Sequence, residues 1–128
     1  QAHILLIDQN EVSRLILKHQ LEKLGCVVAE ASRFQDALLV LRDKTFDLIL
    51  IDAALIEASS QSVITEIRAL QSAGHGPQTA LIAVGRSASA TATVLQGVDA
   101  QSKKPVSKLE LVQMVDRWRG PIGPNAQK

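Results

Sequence analysis

The sequence has very few aromatic residues and no excess of charge of either sign. Phe34, Phe46 and Trp118 are its three aromatic residues, and 14 Lys and Arg against 13 Asp and Glu give a formal net charge of +1. Proteins that bind single-stranded nucleic acid stack bases on aromatic faces, and DNA-binding proteins present a basic field to the phosphates. The sequence offers neither, so we expect no direct contact with nucleic acid.

Cysteine and long apolar runs are scarce as well. Cys26 is the single cysteine, which excludes an internal disulfide and is typical of a reducing, cytoplasmic compartment. No apolar run approaches the ~20 residues that a helix needs to cross a bilayer. We therefore expect a cytoplasmic domain that makes no membrane contact of its own.

The length and the two ends predict one domain with a tail. The 128 residues, 46% of them hydrophobic, suit a single core. Residues 120–128 contain repeated Gly-Pro pairs and predict a linker or frayed tail, which leaves residues 1–119 for the domain. The chain begins at Gln1 and enters an apolar strand almost at once, so we expect it to be cut from a longer protein.

Short apolar runs alternate with segments of helical pattern along the first 119 residues. The runs lack strict alternation, as in strands that are covered on both faces, and predict strands at 3–7, 26–29, 46–51, 80–84 and 98–102. Helices are predicted at 11–24, 34–42, 60–72, 87–96 and 107–119. Such an order predicts a parallel sheet with helices on both of its faces.

Residues at the helix ends support this reading. Asn10 is placed to cap the start of the first helix, and Ser107 with Glu110 forms a capping-box pattern at the start of the last. Gly25 and Gly97 stand where left-handed residues end helices.

Charged residues follow three of the predicted strands. Asp8 comes after the first strand, Asp52 after the third and Lys104 after the fifth. Because the carboxyl ends of parallel strands meet at one edge of a sheet, where such folds bind ligands, these side chains should converge. Two carboxylates and one ammonium at one edge make a site for a hard cation and a phosphoryl group.

Three stretches carry a resemblance to a known family. Residues 3–10 (HILLIDQN), 46–52 (FDLILID) and 102–107 (SKKPVS) resemble, in register, the receiver domains of two-component response regulators. Residues 11–15 and 66–70 look most like receivers attached to hybrid sensor histidine kinases. The resemblance implies a doubly wound, flavodoxin-like (βα)5 fold with strand order 2-1-3-4-5.

The resemblance also implies a role for each residue of the site. Asp52 would be the phosphoacceptor and Lys104 would pair with the phosphoryl group. Mg2+ would be held by Asp8, Asp52 and the backbone carbonyl of Ala54, with Gln9 in the position of a second acid. Since an amide offers an oxygen without a charge, we expect Gln9 to weaken Mg2+ binding.

By the same resemblance, the domain would accept a phosphoryl group from a histidine kinase or a histidine phosphotransfer domain. It would catalyse at most its own phosphotransfer and dephosphorylation, as a cytoplasmic part of a hybrid sensor kinase. A weak homodimer is left open.

Several positions depart from the family pattern. Gly85 stands where the family has a switch Thr or Ser, Gln101 where it has an aromatic residue, and Ile56 where a Pro is common. The usual hydroxyl-and-aromatic relay is therefore missing. These departures favour an alternative function, a degenerate pseudo-receiver that acts as an interaction or ligand-binding module without phosphorylation.

The first predicted helix has two apolar sides. Leu17, Leu21 and Leu24 share the side that should face the sheet. The other side carries Val12, Leu15 and Ile16, for which two readings stay open: partial burial against the last helix, or a docking patch for a helical phosphodonor.

Overall fold

Ten elements lie in the described part of the chain, and they follow the predicted alternation of strands and helices except that two helices come after the third strand. The computed structural model describes residues 2–58, 62–72, 79–85, 98–104 and 106–118. The strands are β1 (His3–Ile7), β2 (Val27–Ala31), β3 (Leu48–Asp52), β4 (Ala80–Gly85) and β5 (Ala100–Lys103). The helices are α1 (Glu11–Lys23), α2 (Phe34–Asp43), α3 (Ala53–Ala58), α4 (Ser62–Ser72) and α5 (Lys108–Trp118). The helix predicted at 87–96, Gly97 and the boundary at 119–120 lie outside the described residues.

The five strands form one parallel sheet in the order β2-β1-β3-β4-β5, which confirms the predicted topology. The central strands β1 and β3 pair directly, with Ile7 opposite Ile51. The residues that follow these two positions, Asp8 and Asp52, are therefore neighbours at the carboxyl edge of the sheet.

The strands are apolar throughout because both faces of the sheet are covered. Successive strand residues point to opposite faces. Leu5 and Ile7 of β1 belong to a core shared with α2, α3 and α4, whereas Ile4 and Leu6 belong to a second core shared with α1 and α5. All four side chains are buried, which explains the lack of polar alternation in this segment.

Helix α1 is fixed at both ends by the predicted caps. The Asn10 side chain accepts a hydrogen bond of 2.9 Å from the Ser13 N–H. At the other end Gly25 has φ +89°, and the Cys26 N–H donates to the carbonyl of Leu21. These contacts form the left-handed helix end that favours glycine. The predicted capping box of α5 is also present, since Ser107 and Glu110 each accept from the other's N–H.

Helix α3 was not predicted. It has six residues, AALIEA, and begins directly after β3 without a separating turn. Its sequence is rich in helix formers, but so short a segment gives no periodic pattern to recognise. Ala53 and Ile56 bury one side of it in the core. Ile56, at the position where the resemblance led us to note a common proline, is thus a core residue of α3.

None of the helices within the described ranges has the length and apolar character that a bilayer crossing demands.

Candidate functional site

Three charged side chains meet at the carboxyl edge of the sheet. The Lys104 ammonium nitrogen lies 2.8 Å from Oδ2 of Asp8 and 3.6 Å from Oδ2 of Asp52. The three residues that the sequence singled out are therefore in one cluster with two negative charges and one positive charge. The topology explains this arrangement, because β1, β3 and β5 all end at this edge.

Asp8 is almost completely buried, with 2% of its surface exposed. A buried carboxylate is costly unless it is paired and hydrogen-bonded. Both requirements are met here: Oδ2 accepts from Lys104, and Oδ1 accepts from the Asn10 N–H at 2.9 Å. The Asp8 N–H continues the sheet by donating to the carbonyl of Ala31. These contacts fix the position of the carboxylate.

Asp52, the last residue of β3, is held differently. Its Oδ1 accepts a hydrogen bond of 3.2 Å from the Ala54 N–H, in the first turn of α3. Its Oδ2 is 3.6 Å from the Lys104 ammonium, which is an ion pair but too long for a hydrogen bond. Oδ2 of Asp52 is thus less tightly bound by Lys104 than Oδ2 of Asp8 is.

Lys104 is positioned by its backbone. Its N–H donates a hydrogen bond of 2.7 Å to the carbonyl of Gly85, so the segment after β5 is tied to the end of β4. From there the side chain extends to Asp8, which follows β1, and to Asp52, the last residue of β3, and most of it is buried. A lysine in this position is a point charge between two carboxylates.

The oxygen donors at this edge are those that Mg2+ prefers. The Asp8 and Asp52 carboxylates share the Lys104 ammonium, the Ala54 backbone contacts Asp52, and Gln9 is exposed beside Asp8 in the sequence. Among the described residues, no group of three or more His, Cys, Asp or Glu side chains is arranged to hold a metal ion. Mg2+ is commonly bound through one or two carboxylates and keeps several waters, so this donor set fits it.

The two departures at the switch positions have different surroundings. Gly85 is buried at the end of β4, and it offers no hydroxyl to a group bound at Asp52. Gln101 lies on β5 and is exposed. Neither position therefore presents the hydroxyl or the aromatic ring that the resemblance to receiver domains would lead us to expect there.

The outer side of α1 is exposed. Val12, Leu15 and Ile16 each keep more than half of their surface accessible, so any burial of these side chains against α5 is at most partial. Beside them is a cavity of about 460 Å3. It is lined by Asn10, Val12, Ser13, Ile16, Leu17, Gln20, Lys104 and Val106, so it extends from α1 to the charged site.

Sequence reasoning missed a second charged cluster next to the site. The Arg14 Nη1 donates a hydrogen bond of 2.8 Å to the backbone carbonyl of Asp8, and its Nε pairs with Glu30 at 3.0 Å. Lys18 binds the other oxygen of Glu30 at 2.8 Å. The spacing of Arg14 and Lys18 on one side of α1 was a visible signal, but nothing in the sequence points to Glu30 on β2 as their partner.

This cluster shifts two pKa values. The hydrogen bond from Lys18 is the largest influence on Glu30 and lowers its pKa below the ordinary 4.5, with burial opposing and Arg14 assisting. The hydrogen bond to Glu30 in turn raises the pKa of Lys18 above its ordinary 10.5. Both groups are therefore charged at neutral pH, and the cluster carries a net charge of +1.

A five-stranded parallel sheet of this order, with two acids and a lysine at its carboxyl edge, defines a receiver-type α/β domain. Residues 4–116 match the family model described as the response regulator receiver domain, and the chain belongs to that family.

Two relatives differ greatly in length. The chain is 28% identical over 120 residues to the sensor histidine kinase GacS of Pseudomonas protegens, where the match covers 91% of this chain and 13% of GacS. It is 29% identical over 126 residues to an uncharacterized 14.6 kDa protein of Leptolyngbya boryana, covering 98% of this chain and 96% of that protein. The chain thus spans a small part of the first relative and nearly all of the second.

Solved structures share the fold. The receiver domain of the sensor histidine kinase PA1611 from Pseudomonas aeruginosa, with a magnesium ion in its active-site cleft, has a TM-score of 0.72 and 26% identity, covering 93% of this chain and 98% of that one. The complex of the receiver domain of Ssk1 with the histidine phosphotransfer protein Ypd1, both from Saccharomyces cerevisiae, also matches. The TM-score is 0.79 at 20% identity, and the match covers 100% of this chain and 97% of that chain.

The lowered pKa of Glu30 leads to a prediction on acid stability. Its contribution to folding is present above pH 4.5 and is lost as the pH falls through the folded-state pKa. Glu30→Gln removes this contribution, so the free energy of unfolding of the variant should fall less between neutral and acid pH than that of the wild type. The two losses of free energy should differ by about 0.5 kcal/mol, because a partly exposed pair is screened by solvent. Urea unfolding at several pH values measures it, and parallel pH curves would contradict it.

Proposed function

We propose that this receiver domain accepts a phosphoryl group on Asp52 from a phosphohistidine of a histidine kinase or a histidine phosphotransfer domain. The observation that carries the proposal is the Lys104 ammonium in ion-pair contact with both Asp8 and Asp52 at the carboxyl edge. Each of the three residues alone would be unremarkable. Together they supply a nucleophile and a cation within reach of each other.

In the proposed reaction, Oδ2 of Asp52 attacks the phosphorus atom of the phosphohistidine. An O–P bond forms while the P–N bond breaks, and its electron pair leaves with the imidazole nitrogen. The Ala54 N–H keeps the carboxylate oriented through Oδ1. Lys104 pairs with the phosphoryl oxygens, and Asp8 holds the ammonium in place for this purpose.

Asp8, Asp52 and the carbonyl of Ala54 would hold Mg2+, with Gln9 as a weak fourth donor. The ion supplies positive charge that neutralises phosphoryl oxygens. The magnesium ion in the PA1611 receiver supports this part of the proposal. Because Gln9 replaces a carboxylate, the affinity should be lower than in a receiver with two acids at this point.

The context of the domain is also a proposal. The match to GacS and the likeness to the PA1611 receiver support a place within a hybrid sensor kinase, in its cytoplasmic part. The Ypd1–Ssk1 complex supports a phosphotransfer domain as partner.

The docking surface of that partner is proposed to be α1. This is supported by the exposed Val12, Leu15 and Ile16 and by the cavity that leads from them to Lys104. Residues 1–119 would form the domain and residues 120–128 a tail.

The first prediction from this proposal concerns phosphorylation itself. Incubation of the chain with Mg2+ and phosphoramidate should add the mass of one phosphoryl group, located on Asp52 by peptide mass spectrometry. Asp52→Asn is the control and should gain nothing, because an amide is not a nucleophile here. No mass gain by the wild type under saturating Mg2+ would contradict the proposal and favour the pseudo-receiver.

The second prediction concerns the metal. Gln9→Asp restores a carboxylate beside Asp8, so the dissociation constant for Mg2+ should fall by about tenfold, as expected for one added charge near the ion. Titration calorimetry measures the constant. Gln20→Asp, on α1 beside the cavity, is a control for added charge in general. Equal affinities for wild type and Gln9→Asp would show that residue 9 does not contact the ion.

The third prediction concerns docking. Leu15→Glu places a charge on the outer side of α1 and should slow transfer from phosphorylated Ypd1 by about tenfold, the effect of spoiling one central apolar contact. Leu39→Glu is a matched control, because Leu39 is equally exposed (58% against 62%) but lies on α2, across the sheet. Phosphorylation by phosphoramidate should stay at the wild-type rate in both variants. A wild-type rate of transfer from Ypd1 to Leu15→Glu would remove α1 as the docking surface.

A further inference from the structure

We propose that Arg14 is a positioning residue, which fixes Asp8 through the backbone so that its carboxylate can serve the cation site. This inference rests on the proposed function, since it gives Arg14 a task in the same site. The observation behind it is a single side chain that reaches from α1 to the backbone of the β1–α1 segment and to β2 at the same time.

Arg14 completes the backbone contacts of Asp8. The Asp8 N–H is bound to the Ala31 carbonyl and thereby continues the pairing of β1 with β2. The Asp8 carbonyl accepts from the Arg14 guanidinium, in a part-buried contact of 2.8 Å. A buried carbonyl needs such a partner. With both peptide groups bound, the direction in which the Asp8 side chain leaves the backbone is set.

Arg14 is itself held in place. Its Nε binds one oxygen of Glu30 at 3.0 Å, and Lys18 binds the other oxygen at 2.8 Å. A guanidinium has several donors in a rigid plane, so it can bind a carboxylate and a carbonyl in two directions at once. An ammonium is a point charge on a flexible stem and does not fix two partners in one plane. The contacts therefore call for arginine in particular.

The position of Asp8 matters more in this chain because it has no second acid beside it. Residues 8–10 are Asp8, Gln9 and Asn10, so Asp8 is the one carboxylate in the segment that joins β1 to α1. Any loss of its alignment is then uncompensated. Residues that orient a ligand of a metal typically change its affinity by about 10–100-fold when they are replaced.

Simple electrostatics predicts the opposite sign. Arg14 carries a positive charge close to Asp8, and a cation near the site repels Mg2+. If charge alone mattered, removing the guanidinium would strengthen Mg2+ binding. If Arg14 positions Asp8, removing it weakens binding in spite of the lost repulsion. The sign of the change therefore separates the two explanations.

The test compares two arginine variants of the full chain. Arg14→Met keeps most of the stem and loses the guanidinium. Arg33→Met is the matched control, because Arg33 follows β2 at the same edge of the sheet, is 71% exposed and pairs with Asp36. Mg2+ binding is followed by NMR through the amide of Asn10, which is bonded to Oδ1 of Asp8. We expect the dissociation constant to rise about tenfold in Arg14→Met, and to stay level or fall slightly in Arg33→Met.

Two further variants keep the test decisive. Glu30→Gln retains Arg14 but loosens its anchor, so it should weaken Mg2+ binding to a smaller extent, and Arg14→Lys should recover only part of the loss. Circular dichroism checks that each variant is folded.

The inference is overturned if folded Arg14→Met binds Mg2+ with an affinity equal to or higher than that of the wild type. It is also overturned if the wild type binds no Mg2+. Failure of the proposed function is seen separately, as the absence of phosphoryl gain on wild-type Asp52.

Discussion

The ion pair between Lys104 and Asp8 is the contact on which the site depends. It joins residues that are 96 positions apart in the sequence, and it gives a nearly buried carboxylate the paired cation that such burial requires. The same ammonium lies beside Asp52, so the pair also places a cation next to the third residue of the site. A charge arrangement of this kind needs the carboxyl ends of β1, β3 and β5 at one edge, and the parallel direction of the strands provides this.

The sequence was sufficient for the topology and for the convergence of Asp8, Asp52 and Lys104. The parallel sheet and the convergence follow from the alternation of strands and helices, because the connections of a parallel sheet bring every carboxyl end to the same edge. The strand order was implied by the resemblance to receiver domains. The caps at Asn10, Gly25 and Ser107 were also predictable, since they depend on neighbours only a few residues away. These features are determined locally or by topology alone.

Other features could not be predicted from the sequence and are seen only in the three-dimensional structure. Helix α3 is too short to show a period, and its existence depends on the burial of Ala53 and Ile56. The periodicity of α1 identified two apolar sides, but only the packing of α5 could decide whether the outer side is covered. The contact of Arg14 with Glu30 depends on two side chains from different elements, 16 residues apart, and on the conformation of each. Periodicity and spacing carry no information of this kind.

The double-sided core has a consequence for how such a domain can change. The sheet is stabilised by apolar strand residues on both faces, and Gln9 and Gln101 are exposed and outside that core. Replacing surface residues of this sort alters folding stability little. Exposed positions such as these two can therefore be replaced in related proteins while the scaffold stays intact, whereas the buried Asp8 is bound to the scaffold itself.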